Sequence, residues 1–443
     1  MAGDKNMDIF KRMEEMPLSR FHWRLLFLTG FGWLFDAMDT GLVSFVMPLI
    51  SKEWQLSSQE LGWIGSVGLL GMALGAVIAG WAADRVGRRK LFMATLCVYS
   101  IATAACAFAP NKEVLLALRF LTGVGLGGQL PVAVTLVSEY APAAERGKLV
   151  VLLESFWALG WLGASLASYF IIPVYGWSSA FLLGGLPIFY IGLLWRYLPE
   201  SVRYLLAKGR GEEAKALVRQ METLAGLPSV ELTVAQAGGA VPEGTLRALW
   251  QQRFFRSTLV LWIVWFGLVY SYYGMFTWLP TLMVQKGYPV VKTFEFMLLL
   301  TLAQIPGYGA AALLVDRLGR RGTLAAFLGG CAISAWLFSQ AQGMTAIWCW
   351  GALMSFFNLG AWGVIYTYTP EVYPTRFRAL GAGWAGAVGR CGGMLAPVSV
   401  GWLLSVGWQM SNLFFLFAAV LMGIALVLYL WGEETKGQRL AEE

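Results

Sequence analysis

The sequence predicts an all-α membrane protein with twelve transmembrane helices in two six-helix bundles. Three observations predict this fold class: 58% of the 443 residues are hydrophobic, only 13% are charged, and the hydrophobic residues fall into long runs. A soluble domain usually carries roughly 25% charged residues, and a membrane-spanning helix needs about 20 apolar residues. The apolar residues therefore suffice for about twelve spans, and this composition argues against a soluble single-domain enzyme.

Apolar runs bounded by glycine, proline or charge divide the chain into twelve segments. We place the spans near 24–49, 61–83, 91–109, 114–138, 149–172, 177–198, 257–284, 294–315, 323–341, 344–369, 379–406 and 410–431. The long polar connection at 199–256 contains an Ala/Gly/Pro stretch at Ala235–Gly244, and its Glu212–Leu224 section has the pattern of an amphipathic surface helix. We therefore expect an N-terminal bundle (1–198), a cytoplasmic linker (199–256), and a C-terminal bundle with a short tail (257–443).

Basic residues are distributed unevenly between the two sides of these spans. Of the 33 lysines and arginines, Arg119 and Arg390 lie within spans. The loops of one side hold only Lys52, Lys112, Lys286 and Lys292. All the others lie on the side of the N-terminus, so the positive-inside rule predicts that both termini are cytoplasmic. We expect a multi-pass membrane protein, whose net charge of +7 reflects topology and not a nucleic-acid partner.

The sequence gives no indication of a cofactor or a metal site. Gly123-x-Gly125-x-x-Gly128 matches the dinucleotide-binding fingerprint in its letters, but it lies within a membrane span, where glycines allow close helix contact. A Walker A motif is absent, and the single histidine, His22, does not make a metal site. The five cysteines all fall in apolar runs, which is typical of reduced packing residues.

The two halves share loop motifs at one fixed spacing. Asp84-Arg85-Val86-Gly87-Arg88-Arg89 follows the second span, and Asp316-Arg317-Leu318-Gly319-Arg320-Arg321 follows the eighth, 232 positions later (316 minus 84). Glu139 and Arg146 recur at the same offset as Glu371 and Arg378. Unrelated positive-inside loops would match in lysine and arginine but not in Asp, Glu, Pro and Gly. The spacing indicates an internal duplication with parallel halves, as in transporters built of two rocking bundles.

These motifs resemble the loop signatures of the major facilitator superfamily. Pro199-Glu200-Ser201-Val202-Arg203 is similar to the Pro-Glu-Ser-x-Arg signature of sugar porters, and Glu434-Thr435-Lys436-Gly437 is similar to their C-terminal ending, with Glu433 where proline is usual. Phe276–Tyr308 and Glu371–Pro397 look most like bacterial niacin and aromatic-acid permeases, relatives of organic anion transporters. The resemblance implies a monomeric secondary transporter that works in the lipid bilayer by alternating access, without a cofactor.

Carboxylates at the span ends can pair with arginines of neighbouring loops and with helix N-termini. We expect such pairs to hold the cytoplasmic ends of the bundles together in the outward-open state and to bias a two-state equilibrium. The alternative is that some of these charges only anchor the topology. The expected gate residues are Asp84, Arg88, Glu139, Arg146, Glu200, Arg203, Asp316, Arg320, Glu371 and Arg378.

Four ionisable residues lie deep inside predicted spans and matter most, because charge there is expensive and usually functional. At about 1.5 Å of rise per residue, Asp39 and Arg119 both lie about 22 Å from the cytoplasmic side, with Asp36 and Arg390 at about 18 and 17 Å. Asp39 and Arg119 match the first-span aspartate and fourth-span arginine that resemble the proton site of sugar:proton symporters. Asp36 is the competing proton site, and it could instead pair with Arg390.

Arg390 lies in Gly389-Arg390-Cys391-Gly392-Gly393 and matches the eleventh-span arginine of organic anion transporters. An arginine at this depth can bind a carboxylate by a bidentate bond, which favours an anionic substrate. The alternative is a structural arginine satisfied by Asp36 and helix carbonyls.

Several polar and aromatic residues of the spans are further candidates for substrate binding. Besides Asp36, the candidates that we select are Tyr270, Tyr273, Gln129, Gln304 and Asn358, although such polar groups can also merely bridge helices. Other aromatic residues that could frame a ring are Phe276, Trp278, Tyr366 and Tyr368. Glu154, near the cytoplasmic end of the fifth span, is interpreted as a gate residue.

Together these observations predict a proton-coupled importer of a small organic anion, a niacin- or benzoate-like monocarboxylate, and not an enzyme. Two alternatives stay open, a proton-coupled sugar porter and a proton-antiport exporter of drugs or metabolites. A sugar site would need many uncharged polar groups and no arginine at mid-depth. A sensor without transport activity is disfavoured by the intact loop motifs.

Overall fold

The computed structural model describes residues 6–142, 145–233, 249–374 and 377–436, and they are almost entirely helical. The helices of the N-terminal part are α1 (Ile9–Glu15), α2 (Arg20–Trp54), α3 (Ser58–Val86), α4 (Arg88–Cys106), α5 (Lys112–Tyr140), α6 (Arg146–Phe170), α7 (Ile172–Tyr175), α8 (Ser178–Gly184), α9 (Tyr190–Tyr197), α10 (Val202–Ala207) and α11 (Gly211–Ala225). Those of the C-terminal part are α12 (Gln252–Gln285), α13 (Val290–Leu318), α14 (Arg320–Gln340), α15 (Met344–Val372), α16 (Arg378–Ser405) and α17 (Met410–Trp431). Two short strands, β1 (Asn6–Asp8) and β2 (Glu231–Thr233), pair in parallel.

Twelve of these segments are the spans that the sequence predicts, six in each half. Eleven are long and apolar enough to cross a membrane, and the twelfth is α4. Its first turn is Arg88-Arg89-Lys90, and small alanine, serine and threonine residues follow, so its hydropathy is low. It nevertheless packs along α5 like the other spans. The expected all-α membrane fold is confirmed.

The sixth span differs from the single helix expected over 177–198. It is broken into α8, a 3-10 turn at Leu186–Phe189, and α9. Pro187 lies in that turn, and proline has no N–H to donate to the preceding turn of a helix. The break therefore has a local cause in the sequence.

The same pairs of spans pack together in both halves. The second span packs on the fourth (α3 on α5, α13 on α15), the first on the fifth (α2 on α6, α12 on α16), and the third on the fourth (α4 on α5, α14 on α15). The halves thus repeat one packing arrangement in one chain order, which agrees with the duplication that the loop motifs indicate.

Glycines allow α3 and α5 to approach each other closely. Gly71 and Gly75 of α3 lie against backbone carbonyls of α5, and Gly123 of α5 lies against a backbone carbonyl of α3. A Cβ atom at any of the three would overlap with a carbonyl oxygen. The glycine pattern at 123–128 therefore serves helix packing, as predicted.

The molecule has two faces that differ in their loops. The basic-loop face carries the turns at Gly87 and Gly319, the helices α10 and α11, and both ends of the described chain. The opposite face carries the connections from the first to the second, the third to the fourth and the fifth to the sixth span of each half. Helix α11 confirms the amphipathic helix expected at 212–224, and it packs near α1, where Arg12 binds Glu222 at 2.8 Å. The stretch Ala235–Gly244 lies outside the described residues.

The two halves contact each other towards the opposite face. Helix α3 packs against α16, and α6 packs against α13. Ser66 donates a hydrogen bond to the carbonyl of Met394 at 2.7 Å, and Gln59 donates one to Ser405 at 3.0 Å. Between described residues, no hydrogen bond or ion pair joins the halves at the basic-loop face. The interface between the halves is therefore closed at the opposite face.

Candidate functional site

A buried ion pair joins the first and fourth spans. Asp39 and Arg119 are 1% and 3% exposed. Arg119 Nη1 donates to Asp39 Oδ1 at 3.2 Å and Nη2 donates to Oδ2 at 2.9 Å, while Thr103 of α4 donates to Oδ1 at 2.7 Å. The residue counts along the two helices predict that Asp39 and Arg119 lie at one depth, and the structure shows them in contact. Because both charges are bonded to each other in an apolar setting, each compensates for the burial of the other.

Asp36 lies one helical turn from Asp39 and has no such partner. It is fully buried, and neither of its carboxylate oxygens accepts a hydrogen bond from a described residue. The hydroxyl of Tyr99 on α4 is within electrostatic range of Asp36 and is unbonded as well. The pair between Asp36 and Arg390, which the sequence left open, is not formed. Arg390 is therefore not a structural arginine held by Asp36.

Arg390 presents an unpaired guanidinium to the space between the halves. It lies in α16, about 18 Å along the helix from Arg378, and its side chain is exposed. It forms no hydrogen bond or ion pair with any residue of the described ranges. Glu154 of α6, Tyr273 of α12 and Tyr366 of α15 all lie within its electrostatic range. The guanidinium thus keeps its donors free for a ligand that enters this space.

Aromatic side chains from both halves lie near Arg390 and Glu154. Trp33, next to Glu154, packs against Trp157 with the ring centroids 4.8 Å apart and the ring planes tilted by 37°. Trp157 donates a hydrogen bond to the hydroxyl of Tyr272 in the C-terminal half at 3.0 Å. In the C-terminal half, the ring of Tyr366 packs edge-on against Trp265 at 5.3 Å. The site therefore offers flat apolar walls beside one cation, an arrangement suited to a small aromatic anion.

Glu154 lies close to Arg390 and not beside the arginine–carboxylate pairs of the loops. It is 6% exposed and makes no ion pair in the described part of the chain, and the indole of Trp33 lies next to its carboxyl group. Arg390, Tyr308 and Tyr366 lie within its electrostatic range. The gating role expected for Glu154 stays a prediction, and the structure adds its position beside the candidate anion site. The signal for this residue in the sequence is a lone acid in an apolar run.

The other predicted binding residues lie apart from Arg390 or within one bundle. Gln129 donates to the carbonyl of Phe92 and to Thr95, and Asn358 donates to Cys331 Sγ at 3.6 Å. The hydroxyl of Tyr270 is bonded to Ser399 at 2.9 Å. Gln304 is 1% exposed, and its Oε1 atom has no partner among described residues. In this conformation Gln129, Asn358 and Tyr270 therefore bridge helices, and Tyr273 lies beside Arg390.

A small cavity lies between Arg119 and Tyr273. Its walls include Thr40, Gly68 and Arg119 of the N-terminal half together with Tyr273 and Thr277 of the C-terminal half. The arginine of the ion pair and the tyrosine that lies beside Arg390 thus face one cavity between the halves.

At the basic-loop face, the predicted gate residues pair within each half. Arg88 binds Asp84 at 2.8 Å and lies 3.9 Å from Glu139. Arg320 binds Glu371 at 2.9 Å. The arginines and glutamates related by 232 positions thus make equivalent contacts in the two halves.

The remaining gate residues also contact their own half. Their contacts are Arg146 with Glu14 at 3.3 Å, Arg203 with the ring of Phe10 at 5.2 Å, and Arg378 with the carbonyl of Pro370 at 3.0 Å. Asp316 belongs to α13, but its side chain lies outside the described part. These residues are expected to hold the cytoplasmic ends of the two halves together in the outward-open state. The structure shows a different state, so this role stays a prediction.

Glu200 and Glu434 each accept a hydrogen bond at the N-terminus of the third span of their half. Glu200 accepts a hydrogen bond from the backbone N–H of Arg89 at 3.1 Å, and Glu434 accepts one from that of Arg320 at 2.8 Å. The glycine that precedes each helix has a positive φ, 99° and 81°, and a Cβ there would overlap with the carboxylate. An anion at a helix N-terminus is stabilising. The two signature segments therefore anchor α4 and α14.

Comparison with known proteins agrees with this architecture. The family model described as "Sugar (and other) transporter" matches residues 26–443. The chain is 55% identical to the niacin transporter NiaP of Acinetobacter baylyi over 434 residues, which cover 98% of this chain and 99% of that protein. It is 44% identical to a Bacillus subtilis relative named for niacin/nicotinamide transport over 428 residues, covering 96% and 99%.

Solved structures agree as well. A partially occluded inward-open structure of the xylose transporter XylE from E. coli matches with a TM-score of 0.74 and 18% identity, covering 95% of this chain and 100% of that one. The chain therefore belongs to the sugar (and other) transporter family of the major facilitator superfamily, and it is a multi-pass membrane transporter and not an enzyme.

Proposed function

We propose that this protein imports niacin or a closely similar aromatic monocarboxylate together with a proton, by alternating access. The observation that carries the proposal is the unpaired guanidinium of Arg390 among aromatic rings. Arginine binds a carboxylate through two parallel hydrogen bonds. The two relatives named for niacin transport support the choice of substrate.

Proton coupling is assigned to Asp39 with Arg119 as its switchable partner. While the guanidinium donates to both oxygens, the carboxylate is stable as an anion. When Arg119 turns away, the buried carboxylate loses its counter-charge and binds a proton. Substrate anion and proton then cross together, so the loaded carrier moves little net charge.

The small cavity between Arg119 and Tyr273 supports a link between the two events. A carboxylate that approaches Arg390 changes the electrostatic field at Arg119, because charges interact strongly across surroundings of low polarity. Binding of substrate therefore favours the arrangement in which Asp39 carries the proton. This is the coupling between the two sites that symport requires.

Alternating access follows from rocking of the bundle 1–198 against the bundle 257–443, joined by the linker 199–256. We place the basic-loop face and both termini in the cytoplasm of a bacterial cell, in the plasma membrane, with the protein as a monomer. The conformation that is closed at the opposite face is then the inward-facing one. The arginine–carboxylate pairs of the loops hold the basic-loop face closed in the outward-facing state.

The test is uptake of labelled nicotinate into proteoliposomes, with benzoate and xylose as competitors and with Arg390→Ala beside the parent. We expect nicotinate uptake that benzoate inhibits and xylose does not. Arg390→Ala should lose about 90% or more of carboxylate binding, since a charge-assisted hydrogen bond is worth about 1.5–3 kcal/mol, and Arg390→Lys should recover part of it. The surface variant Arg196→Ala is the matched control, and undiminished nicotinate affinity in folded Arg390→Ala would contradict the assignment.

A further inference from the structure

Near Arg390 lies an acid, Glu154, that has no role in binding an anion. Glu154 lies within electrostatic range of the guanidinium, yet the two groups form no ion pair in the described structure. An ionised carboxylate at this point would compete with a carboxylate substrate for Arg390. It would also repel that substrate in surroundings of low polarity, where like charges interact strongly.

The surroundings of Glu154 give its carboxyl group no cation bonded to it. The groups that face it are Arg390 from α16, Tyr308 from α13, Tyr366 from α15 and Trp33 from α2. The neutral indole N–H of Trp33 lies next to the carboxyl group but does not reach good hydrogen-bond geometry. The hydroxyls of Tyr308 and Tyr366 are unbonded within the described ranges. An acid that is 6% exposed and is not ion-paired is stable in its neutral form, with an O–H to donate.

We propose that Glu154, as a neutral acid, donates a hydrogen bond to the ring nitrogen of a pyridine monocarboxylate whose carboxylate is bound by Arg390. This inference rests on the proposed function and deepens it, because it makes Glu154 the residue that distinguishes a pyridine ring from a benzene ring. The ring nitrogen is a hydrogen-bond acceptor in the ring plane, and the corresponding C–H of benzoate is not. No proton is transferred in this step.

The arrangement of the two groups suits a ligand of this kind. Arg390 comes from the C-terminal half and Glu154 from the N-terminal half, beyond ion-pair distance of each other but within electrostatic range. A small flat ring between them would be held at one edge by the cation and at another by the acid. The rings of Trp33 and Trp157, which pack against each other, and the ring of Tyr366 supply apolar walls for its faces.

The experiment measures binding of nicotinate and of benzoate to the purified full-length protein between pH 5.5 and 8.5. The quantity compared is the ratio of the two affinities, because titration of other groups affects both carboxylates alike. The parent should prefer nicotinate by about tenfold or more, the effect of one hydrogen bond to a buried polar group. Glu154→Leu should bring the two affinities within about twofold by weakening nicotinate binding while benzoate binding is kept or improved.

Glu154→Gln provides a second test that does not depend on the leucine variant folding. Its amide still donates a hydrogen bond but cannot ionise, so its preference for nicotinate should stay constant with pH. The preference of the parent should fall as pH rises and Glu154 loses its proton. Glu145→Gln, an exposed acid at the start of the same helix, is the matched control and should behave like the parent.

The results separate this inference from the function on which it rests. A parent that binds both carboxylates without preference, a Glu154→Leu variant that keeps the parent's ratio, or a Glu154→Gln variant whose ratio falls with pH like the parent's would each overturn the role of Glu154. Each of these leaves anion binding at Arg390 intact. A parent that binds neither carboxylate would refute the proposed function and this inference together.

Discussion

At the scale of single residues, the first span places two acids beside one arginine. Asp39 and Arg119 satisfy each other, whereas Asp36 is fully buried and unbonded among the described residues. A buried anion without a partner is unfavourable by several kcal/mol. Asp36 is therefore stable in this conformation only as the neutral acid. One proton can thus be bound at Asp36, next to the Asp39–Arg119 ion pair.

Replacing either Asp39 or Asp36 with asparagine shows which of the two acids carries the transported proton. Asp39→Asn should lose accumulation of nicotinate driven by a pH gradient but keep exchange of nicotinate across the membrane, because a neutral side chain mimics the protonated acid. Asp36→Asn should keep accumulation at half the parent rate or more, since Asp36 stays protonated while Asp39 cycles. Uptake and exchange are measured side by side in proteoliposomes. If Asp39→Asn accumulates substrate like the parent while Asp36→Asn does not, the proton site is Asp36.

The sequence predicted some contacts of the site and missed others for one physical reason. Depth along a straight helix is a simple count, so the meeting of Asp39 with Arg119 could be predicted. The rotation of a helix about its axis depends on packing that the count does not contain. For this reason Gln129 and Asn358 turn into their own bundles, while Glu154 turns towards Arg390.

At the scale of helices and loops, the loop motifs connect span ends within each half. Arg88 lies between the exposed Asp84 and the mostly buried Glu139, and its pair with the exposed Asp84 contributes about 0–1 kcal/mol. A free energy this small cannot decide stability, but it can shift a balance between two conformations.

Asp84→Asn should therefore raise the population in which the basic-loop face is open. The measurement is the distance between spin labels on opposite halves, at Lys148 and Gly383, in a background without native cysteines. The distribution should shift towards the longer distances, and Glu113→Gln, an exposed acid near the opposite face, should leave it unchanged. Identical distributions for Asp84→Asn and the parent would count against a gating role.

Glu434 links the C-terminal segment to the start of α14 in a way that depends on pH. Partial burial opposes its ionisation, but the backbone N–H groups of Lys436 and Arg320 outweigh that effect, so the pKa of Glu434 lies below its ordinary value of 4.5. A lowered pKa stabilises the folded state above that ordinary value, and the stabilisation is lost as pH falls through the lowered pKa.

Glu434→Gln should accordingly lower the Tm at pH 7, and the difference from the parent should shrink when the pH is brought below about 4. Thermal unfolding in detergent at the two pH values measures this. Glu15→Gln on α1, an exposed acid, serves as the control with an unchanged Tm. A difference that is as large at low pH as at pH 7 would mean that the charge of Glu434 is not what matters.

Most of the helical order could be predicted, and the exceptions have local causes. Long apolar runs located the spans, and Lys and Arg at the start of α4 lowered its hydropathy without preventing its packing on α5. Pro187 broke the sixth span within a run that composition alone makes continuous. The capping of α14 by Glu434 depends on a contact over 114 positions, which no local pattern contains.

At the scale of the whole molecule, the closed interface is built from small residues. Gly62 and Gly65 of α3 and Gly401 of α16 lie against the backbone or side chains of the other half. Their small size lets the two helices meet over a long stretch at the opposite face. The alternating access that we propose requires a rocking motion that separates these surfaces and closes the basic-loop face.

Coupled transport of a proton and an aromatic carboxylate can be measured without a mutation that affects folding. Nicotinate is added outside proteoliposomes that contain a pH-sensitive dye, with no initial pH gradient and with the membrane potential clamped. We expect the interior to acidify faster than in protein-free liposomes, and Arg390→Ala and Asp39→Asn to abolish this excess. Uptake of labelled nicotinate by the parent without excess proton entry would show that the two do not cross together.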